Sequence, residues 1–531
     1  MIGILDGYVD EPSCLGVPPY ISPYPRYIAG MLEKLGLSWK YATVDEFRKN
    51  PSIFEKADRI IVIAGIAVPG KYLGGKPLSL RELPAVCPEK EKILVGPITL
   101  ELDGEIDGYE ILQFPFEHTL YEKLGGEVRD PNRNFVNEFA VLGAKVVRQH
   151  PDFPHVVCEI ETYKGCYWKK CSFCIERIHR VSMRSPHMVI AEIKALYNQG
   201  VRHFRLGNQT DFFTYMGDFS KEFPRPDPEF MKNFHRAIWK ECPKIKTLHL
   251  DNVNPKTIAE YPEESREIIK TIVVYQTPGN IAAMGMESAD EAVIEKNNLL
   301  ATPDDVFFAV QLINRYGRYV GRNGLPYFLP GLNFVFGLKG ETKKTFEKNY
   351  EFLMSLLERD LLVRRVNLRQ VKVFPSTPMA ETGDKNVRRH KKYFKIYKER
   401  IRRDFDRVML EKIVPKGRLL TDLRVEAVEG KISYARQAGT YPLLVGLIGV
   451  FERNTILDAR VIDYGRRSVT ALPKIDINRA TLLQIESVPG IGKGTASKIA
   501  LSRPVKNISD LEKAIGDRVK VLKKYFYIPS S

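Results

Sequence analysis

No stretch of this 531-residue chain is apolar for long enough to span a membrane. A bilayer helix takes about 20 consecutive apolar residues. The longest apolar run here, Tyr441–Phe451, is shorter and is broken by Pro442, Gly446 and Gly449. Cysteine is scarce as well: seven residues, an odd number, three of them in one short stretch. That argues against a disulfide framework and fits a reducing compartment. The amino-terminal Met-Ile-Gly-Ile-Leu-Asp-Gly has neither a basic leader nor a cleavage site, so the expected location is cytoplasmic. Acidic residues fall short of basic ones, 65 against 81, which leaves a formal charge of +16. A surplus of that size suits a polyanionic partner. With 44% hydrophobic and 27% charged residues the chain reads as globular, and its length asks for three or four domains.

The few cysteines are concentrated. Gly165-Cys166-Tyr167-Trp168-Lys169-Lys170-Cys171-Ser172-Phe173-Cys174 carries three within nine residues. Thiolates hold iron–sulfur clusters, and three of them leave the fourth iron of a cubane open to another ligand. A structural zinc site with His179 as fourth ligand, or three unrelated thiols, are the alternatives at this point. The stretch resembles the cluster loop of radical S-adenosylmethionine (SAM) enzymes, with Phe173 just before the last cysteine. The usual Cys-x3-Cys-x2-Cys is lengthened here to Cys-x4-Cys-x2-Cys. The extra residue is expected to bulge the loop around Tyr167–Lys170 and push Trp168 or Lys169 toward the substrate or the N-terminal domain.

Residues 1–145 alternate apolar strands (1–5, 59–64, 92–95) with helical stretches such as 25–35, the pattern of a doubly wound, Rossmann-like α/β domain. Asp6–Asp10 follows the first strand, where such sheets bind ligands. The layout resembles the N-terminal domain of cobalamin-dependent radical SAM enzymes and, loosely, of methylthiotransferases. It lacks the Asp-x-His-x-x-Gly signature, so cobalamin is the weaker expectation. Cys14 and Cys87 are read as structural thiols, and a second cluster completed by Cys158 is not expected.

Residues 146–410 repeat a strand-then-helix unit, with strands at 155–162, 201–206, 247–251, 281–287, 331–337 and 366–374. Helices are expected near 187–199, 227–241, 290–298, 303–316 and 341–358. Six units suit a partial TIM-like (β/α)6 barrel, whose chemistry gathers at the carboxyl ends of the strands. The cysteine loop follows the first of them, which favours the cluster over zinc. Gly285-Met286-Glu287-Ser288-Ala289 and Asn333–Thr342, with Gly337, resemble the Gly-x-Glu-Ser and Gly-x-x-Gly-Glu-Thr stretches of radical SAM barrels. Capping accounts equally for Glu341 and Thr342. Asn208 or Gln209 stands where the family holds the SAM amino group, although Gly-Gly-Glu is absent. Asp251 and Asn252 end the third strand. Val366–Met379 resembles the last barrel strand of methylthiotransferases, which would aim Arg369 and Lys372 at the substrate opening.

Residues 361–420 hold eighteen Lys/Arg against six Asp/Glu. Arg388, Arg389, Lys391 and Lys392 begin an amphipathic helix with Tyr393, Ile396, Tyr397, Ile401 and Phe405 on its apolar side. Its basic face is read as a phosphate surface. In residues 411–473, five short strands (419–429, 432–436, 443–448, 456–463, 468–472) suit a small OB-like barrel. Its position resembles that of the RNA-binding TRAM domain. Residues 474–531 carry Val488-Pro-Gly-Ile-Gly-Lys-Gly-Thr-Ala496 between two helices, which resembles a helix-hairpin-helix. Gly490 and Gly492 would let a phosphate approach the backbone, and Lys493 adds a cation. The lysine precedes Gly494, so the stretch is not a P-loop.

Taken whole, the chain resembles a mainly archaeal family of radical SAM proteins with a C-terminal helix-hairpin-helix. The resemblance implies a [4Fe-4S] cluster on Cys166, Cys171 and Cys174. It also implies SAM near Phe173, Asn208, Gln209, Glu287, Ser288 and Gly337, an electron donor, and a 5′-deoxyadenosyl radical. The expected substrate is a nucleotide in RNA, tRNA or rRNA ahead of DNA, undergoing methylation or methylthiolation. The rivals are a radical SAM enzyme acting on a lipid or small molecule, and a non-catalytic nucleic-acid-binding iron–sulfur protein.

Overall fold

The computed structural model describes residues 1–9, 17–66, 73–102, 104–129 and 132–529. Asp10 and Cys14 lie outside the described residues. No helix among them is long and apolar enough to cross a membrane.

Strand β1 (Ile2–Asp6) is apolar on both faces, as a strand lying between two helical layers must be. β2 (Tyr20–Ile21) belongs to a different sheet. With β3 (Trp39–Thr43), β4 (Arg59–Ile63), β5 (Glu91–Val95) and β6 (Tyr109–Ile111), β1 forms a parallel sheet of order β3-β1-β4-β5-β6. β3 and β6 were not expected. Both are half-exposed and interrupted by Lys40 and Glu110, so neither has the unbroken apolar run that marks a buried strand. The helix expected over 25–35 runs Tyr24–Lys34.

The next region contains β7 (Val157–Glu161), the short ribbon β8 (Tyr163–Lys164) and β9 (Ser182–Met183), and then β10 (His203–Gly207) and β11 (Thr247–Leu250). β12 (Asn280–Glu287), β13 (Phe328–Phe336) and β14 (Arg365–Gln370) follow. They make two parallel sheets, β11-β10-β7-β2 and β12-β13-β14, that meet at an Asn252–Ala283 bridge. All six expected barrel strands are present, and so are the five expected helices. Helices 255–260 and 262–275 were not foreseen.

β2 extends the barrel sheet with residues from the first 145. The helix after it is locked there by Arg26, which bonds Glu192 (Nε–Oε1 2.8 Å) and the Glu159 carbonyl. The parallel register sets Glu159, Arg205 and His249 in one row.

β15 (Leu419–Glu429), β16 (Ile432–Arg436), β17 (Leu444–Ile448), β18 (Ile456–Tyr464) and β19 (Ser468–Pro473) close into a barrel of order β15-β16-β17-β19-β18. The β16–β17 loop reaches into the larger barrel. Thr440 N donates to His249 Nδ1 (2.9 Å), Tyr441 Oη donates to Asp251 Oδ1 (3.1 Å), and Tyr20 Oη donates to the Gly439 carbonyl. The His249 ring occupies the space a Gly439 side chain would need, so only glycine fits there.

The basic helix runs Lys391–Ile401, passes through a π-helical segment, Arg402–Asp406, and ends at Arg407–Ile413. Phe394 packs on Phe336 with centroids 5.3 Å apart, and Tyr397 on Phe346 at 5.6 Å. Ile396, expected on the apolar side, is 49% exposed because Phe394 takes the inward position. Four terminal helices (482–486, 493–501, 508–515, 519–525) enclose a separate apolar core around Ile485, Ile499, Leu511 and Leu522.

Candidate functional site

The cysteine loop leaves the carboxyl end of β7 and is drawn in at its neck by the antiparallel β8–β9 ribbon. Gly165 stands at that neck with φ +92°, and the Arg180 carbonyl fills the space of an absent side chain. Farther out, the loop is tied to the turn after helix 291–297. Ser172 N donates to the Asn297 carbonyl (3.0 Å) and Ser172 Oγ to Asn297 Oδ1 (2.7 Å). The same buried amide donates to the Val293 and Lys339 carbonyls (2.7 and 2.8 Å), so Asn297 joins three segments at the barrel mouth. Within the lengthened Cys166–Cys171 segment, Lys169 takes the left-handed conformation, φ +56°. Trp168 Nε1 donates to the Asn298 carbonyl (2.7 Å), and Lys170 Nζ lies 4.1 Å from the Trp168 ring centre.

Burial raises the thiol pKa values of this loop: Cys171 to about 12 with Cys166 and Glu287 adding to it, Cys174 well above its ordinary value with Glu176 and then the other two thiols adding, and Cys166 upward. Thiols so placed become thiolates only beside strong positive charge, which cluster iron provides. Among the described residues no three His, Cys, Asp or Glu side chains gather as a single-ion site. His179, the fourth ligand of the zinc alternative, packs edge-on against Phe114 instead, with centroids 5.5 Å apart. A cubane takes one thiolate on each of three irons, and three thiols on one loop are the donors it needs. Phe173 lies beside Cys171 in an apolar patch with Val293, Leu338, Val371 and Met379.

Opposite the loop, β12 slips register between Gly285 and Glu287 and sets Glu287 at φ +55°. Its buried Oε2 has no hydrogen-bond partner, and burial raises the carboxyl pKa to about 8 against the opposing pull of Arg369. With its amide turned to suit its neighbours, Asn367 accepts from Arg369 Nη2 at 3.0 Å. An unpartnered acceptor facing the loop suits a cationic or hydrogen-bond-donating ligand.

The other nominated residues are occupied locally. Asn208 Nδ2 donates to Glu161 Oε2 (2.6 Å), and Asn208 Oδ1 accepts from Lys164 (3.2 Å). Gln209 bonds Thr162 and the Leu206 carbonyl. Ser288 Oγ accepts from Asp290 N (3.1 Å). Val387 fills the space beside Gly337, whose N–H donates to Glu341 Oε2 (2.6 Å). Glu341 also bonds His390 (2.8 Å), which ties this turn to the start of the basic helix. Lys372 pairs with Glu101. Cys87 and Cys158 are buried in different core clusters. Asn297 and Tyr441 escaped the sequence reading, since an asparagine near a helix end signals only a stop.

Arg388, Arg389, Lys391 and Lys392 are all exposed, and Arg388 pairs with Asp384 at 2.7 Å. Gly490 (φ +84°), Gly492 and Gly494 line the terminal hairpin, and no other atom lies within 4 Å of where their side chains would begin.

No protein-family model matches the chain. An uncharacterised protein of Archaeoglobus fulgidus is 60% identical over 529 residues, covering 97% of each chain. An uncharacterised protein of Methanocaldococcus jannaschii is 41% identical over 515 residues, covering 90% of this chain and 95% of its own. Among solved structures, the cobalamin-dependent SAM radical enzyme OxsB aligns at TM-score 0.51 with 12% identity, over 74% of this chain and 61% of OxsB. The radical SAM methyltransferase TsrM of Kitasatospora setae aligns at 0.49 with 17% identity, over 71% and 74%. The OxsB likeness establishes a shared fold, and the sequence identities establish kinship. The chain belongs to the family of the Archaeoglobus and Methanocaldococcus proteins, and it shares the fold of OxsB.

Proposed function

We propose that this protein is a radical SAM iron–sulfur enzyme that modifies a nucleotide in RNA by methylation or methylthiolation. The observation that carries the reading is the necked loop bearing Cys166, Cys171 and Cys174 at the end of β7, opposite the unpartnered carboxyl of Glu287. When bound, the cluster and SAM supply a 5′-deoxyadenosyl radical able to remove a hydrogen atom from a substrate. The chain's own part is to hold and shield. Cys166, Cys171 and Cys174 hold iron, Phe173 covers the cofactor's apolar side, and Glu287 accepts a hydrogen bond from SAM. Asn297 keeps the loop seated. Asn208 and Gln209 act one step back, through Glu161, Lys164 and Thr162. An external electron donor provides the reducing equivalent.

Cobalamin stays the weaker expectation in this reading, because the chain lacks the Asp-x-His-x-x-Gly signature. At the β1/β4 switch point, where such sheets bind ligands, Leu78 N donates to the Gly7 carbonyl (2.9 Å), and Leu78 and Ile63 O crowd the side-chain position of Gly7.

RNA is favoured by the terminal hairpin, read as a helix-hairpin-helix. Neither the backbone angles of Gly492 (φ −88°) nor any packing within the chain calls for glycine there. Close approach by an outside backbone does. Anaerobic reconstitution with iron, sulfide, SAM and a reductant tests the enzyme. Release of 5′-deoxyadenosine is expected, and its absence from a fully loaded protein overturns the radical reading. Mass spectrometry of RNA nucleosides from a deletion strain tests the substrate. An unchanged nucleoside profile overturns RNA and leaves the lipid or small-molecule alternative.

A further inference from the structure

Around the foot of β14, four elements bring cations together away from the cysteine loop. Arg364 and Arg365 open the strand, Arg402 lies in the π-helical segment, and Lys398 stands one helical turn before it. Arg467 tips the turn between β18 and β19. Asp406 is the carboxylate they share. Arg402 pairs with it and donates to the Val366 carbonyl (2.9 Å), while Arg467 Nε stands 3.9 Å away. Arg365 lies 3.9 Å over the Tyr441 ring. At the rim Arg466 pairs with Glu399, which leaves the local excess unchanged. Among the described residues the Arg364 guanidinium has no carboxylate or carbonyl bonded to it.

The crowding has an electrostatic signature. Burial and then Arg365 press the Arg364 pKa down to about 10. Partial burial, then Arg402, Arg365 and Arg364, press Arg467 to about 9. Burial followed by Arg402 and Arg467 lowers Lys398. A guanidinium ordinarily stays protonated beyond pH 12. Arg364, Arg402 and Arg467 share the one Asp406 carboxylate, and that surplus of positive charge suits an added anion. Access is open, since the Arg467 side chain is 46% exposed.

We propose that this seam binds a phosphodiester of a nucleic-acid strand, at a place separate from the cofactor mouth. Arginine forks match phosphate oxygens two at a time. A strand is favoured over free phosphate because the cations continue along one helix face. Lys391, Lys395, Lys398 and Arg402 recur at spacings of four, three and four residues, with the three lysines exposed. Eleven residues of helix run on the order of 16 Å, room for several consecutive phosphates. The proposal rests on the nucleic-acid reading above and gives it a docking track that joins the basic helix to the small barrel.

The test uses full-length reconstituted protein and a fluorescein-labelled single-stranded RNA, with anisotropy read at several salt concentrations. Arg467→Gln and Lys395→Gln should each weaken binding about three- to tenfold at low salt and reduce the log–log salt slope by about 1. Arg467→Lys should recover part of the loss. Arg129→Gln, which removes a distant exposed charge, should change neither quantity. Unchanged affinity and slope in both Gln variants, with thermal midpoints like wild type, would overturn the seam. If RNA fails to bind while inorganic pyrophosphate raises the midpoint of wild type but not of Arg467→Gln, the assignment to a strand is overturned in favour of a small phosphate. Release of 5′-deoxyadenosine is scored separately in each variant. A failed seam with intact release leaves the radical reading standing, and lost release in wild type removes that reading alone.

Discussion

The two loops on which the proposed function rests are built in opposite ways. The cysteine loop is held at its neck by the β8–β9 ribbon, from the side by Asn297, and in its lengthened segment by the Trp168 bond to Asn298. In the terminal hairpin, the side-chain positions of Gly490, Gly492 and Gly494 stay clear of the described residues around them. A loop that must present three thiolates to one inorganic group has to be positioned before the group arrives, because each misplaced ligand costs binding. A hairpin that receives a flexible polymer from solution needs open backbone and little else. Contact inside the fold marks the first kind of site, and missing contact over glycines marks the second.

The sharpest way to break this comparison is to remove a thiol. Cys174→Ala should abolish visible-range cluster absorbance and 5′-deoxyadenosine release, with far-ultraviolet dichroism unchanged. Retained release would exclude the loop as the cluster site. Next comes the clasp. Asn297→Ala strips hydrogen bonds from Ser172, Val293 and Lys339, and should lower stability by about 2–4 kcal/mol in urea titration. The reconstituted cluster should also be lost to chelator several times faster.

The hairpin makes the opposite prediction. Gly494 lies in the first turn of helix 493–501, so Gly494→Ala should raise stability by up to about 1 kcal/mol while weakening RNA binding severalfold. Greater stability with unchanged binding would remove the hairpin from the nucleic-acid surface.

A pH-dependent effect lies away from both loops, at Asp6. Burial raises its carboxyl pKa to about 6, against hydrogen bonds from Tyr41 and Tyr8 that lower it. The folded chain therefore keeps a proton that the unfolded chain releases near pH 4. Stability should fall as pH rises from about 4 to 6, by up to roughly 1.4 kcal/mol per unit, and then level off. Asp6→Asn should flatten that part of the profile in thermal melts recorded across pH.

Much of the scaffold was legible because buried parallel strands and amphipathic helices write their periods into the chain. The six strands of the large barrel and the five of the small one fall within two or three residues of their expected starts, although the 155–162 and 366–374 stretches end earlier in the structure. β3, β6 and the helices at 255–275 did not show. Charged or half-exposed residues blur the period in the strands, and the two helices adjoin with only Tyr261 between them. The site was legible in part. Glu287 lies near enough to Cys171 to raise its thiol, and Asn208, Gln209, Ser288 and Gly337 bond groups beside them in the fold.

Local spacing, then, determined the βα repeat, the three-thiol loop, its lengthened segment around Lys169 and the glycine hairpin. Each depends on residues close together in the chain. Tertiary structure alone decided that Tyr20–Ile21 joins the second sheet, that Tyr441 reaches Asp251, and that Arg364, Arg402 and Arg467 meet. These partners lie tens to hundreds of residues apart. What brings them together is the shared burial of surfaces, and burial at one point leaves no periodic mark at the other.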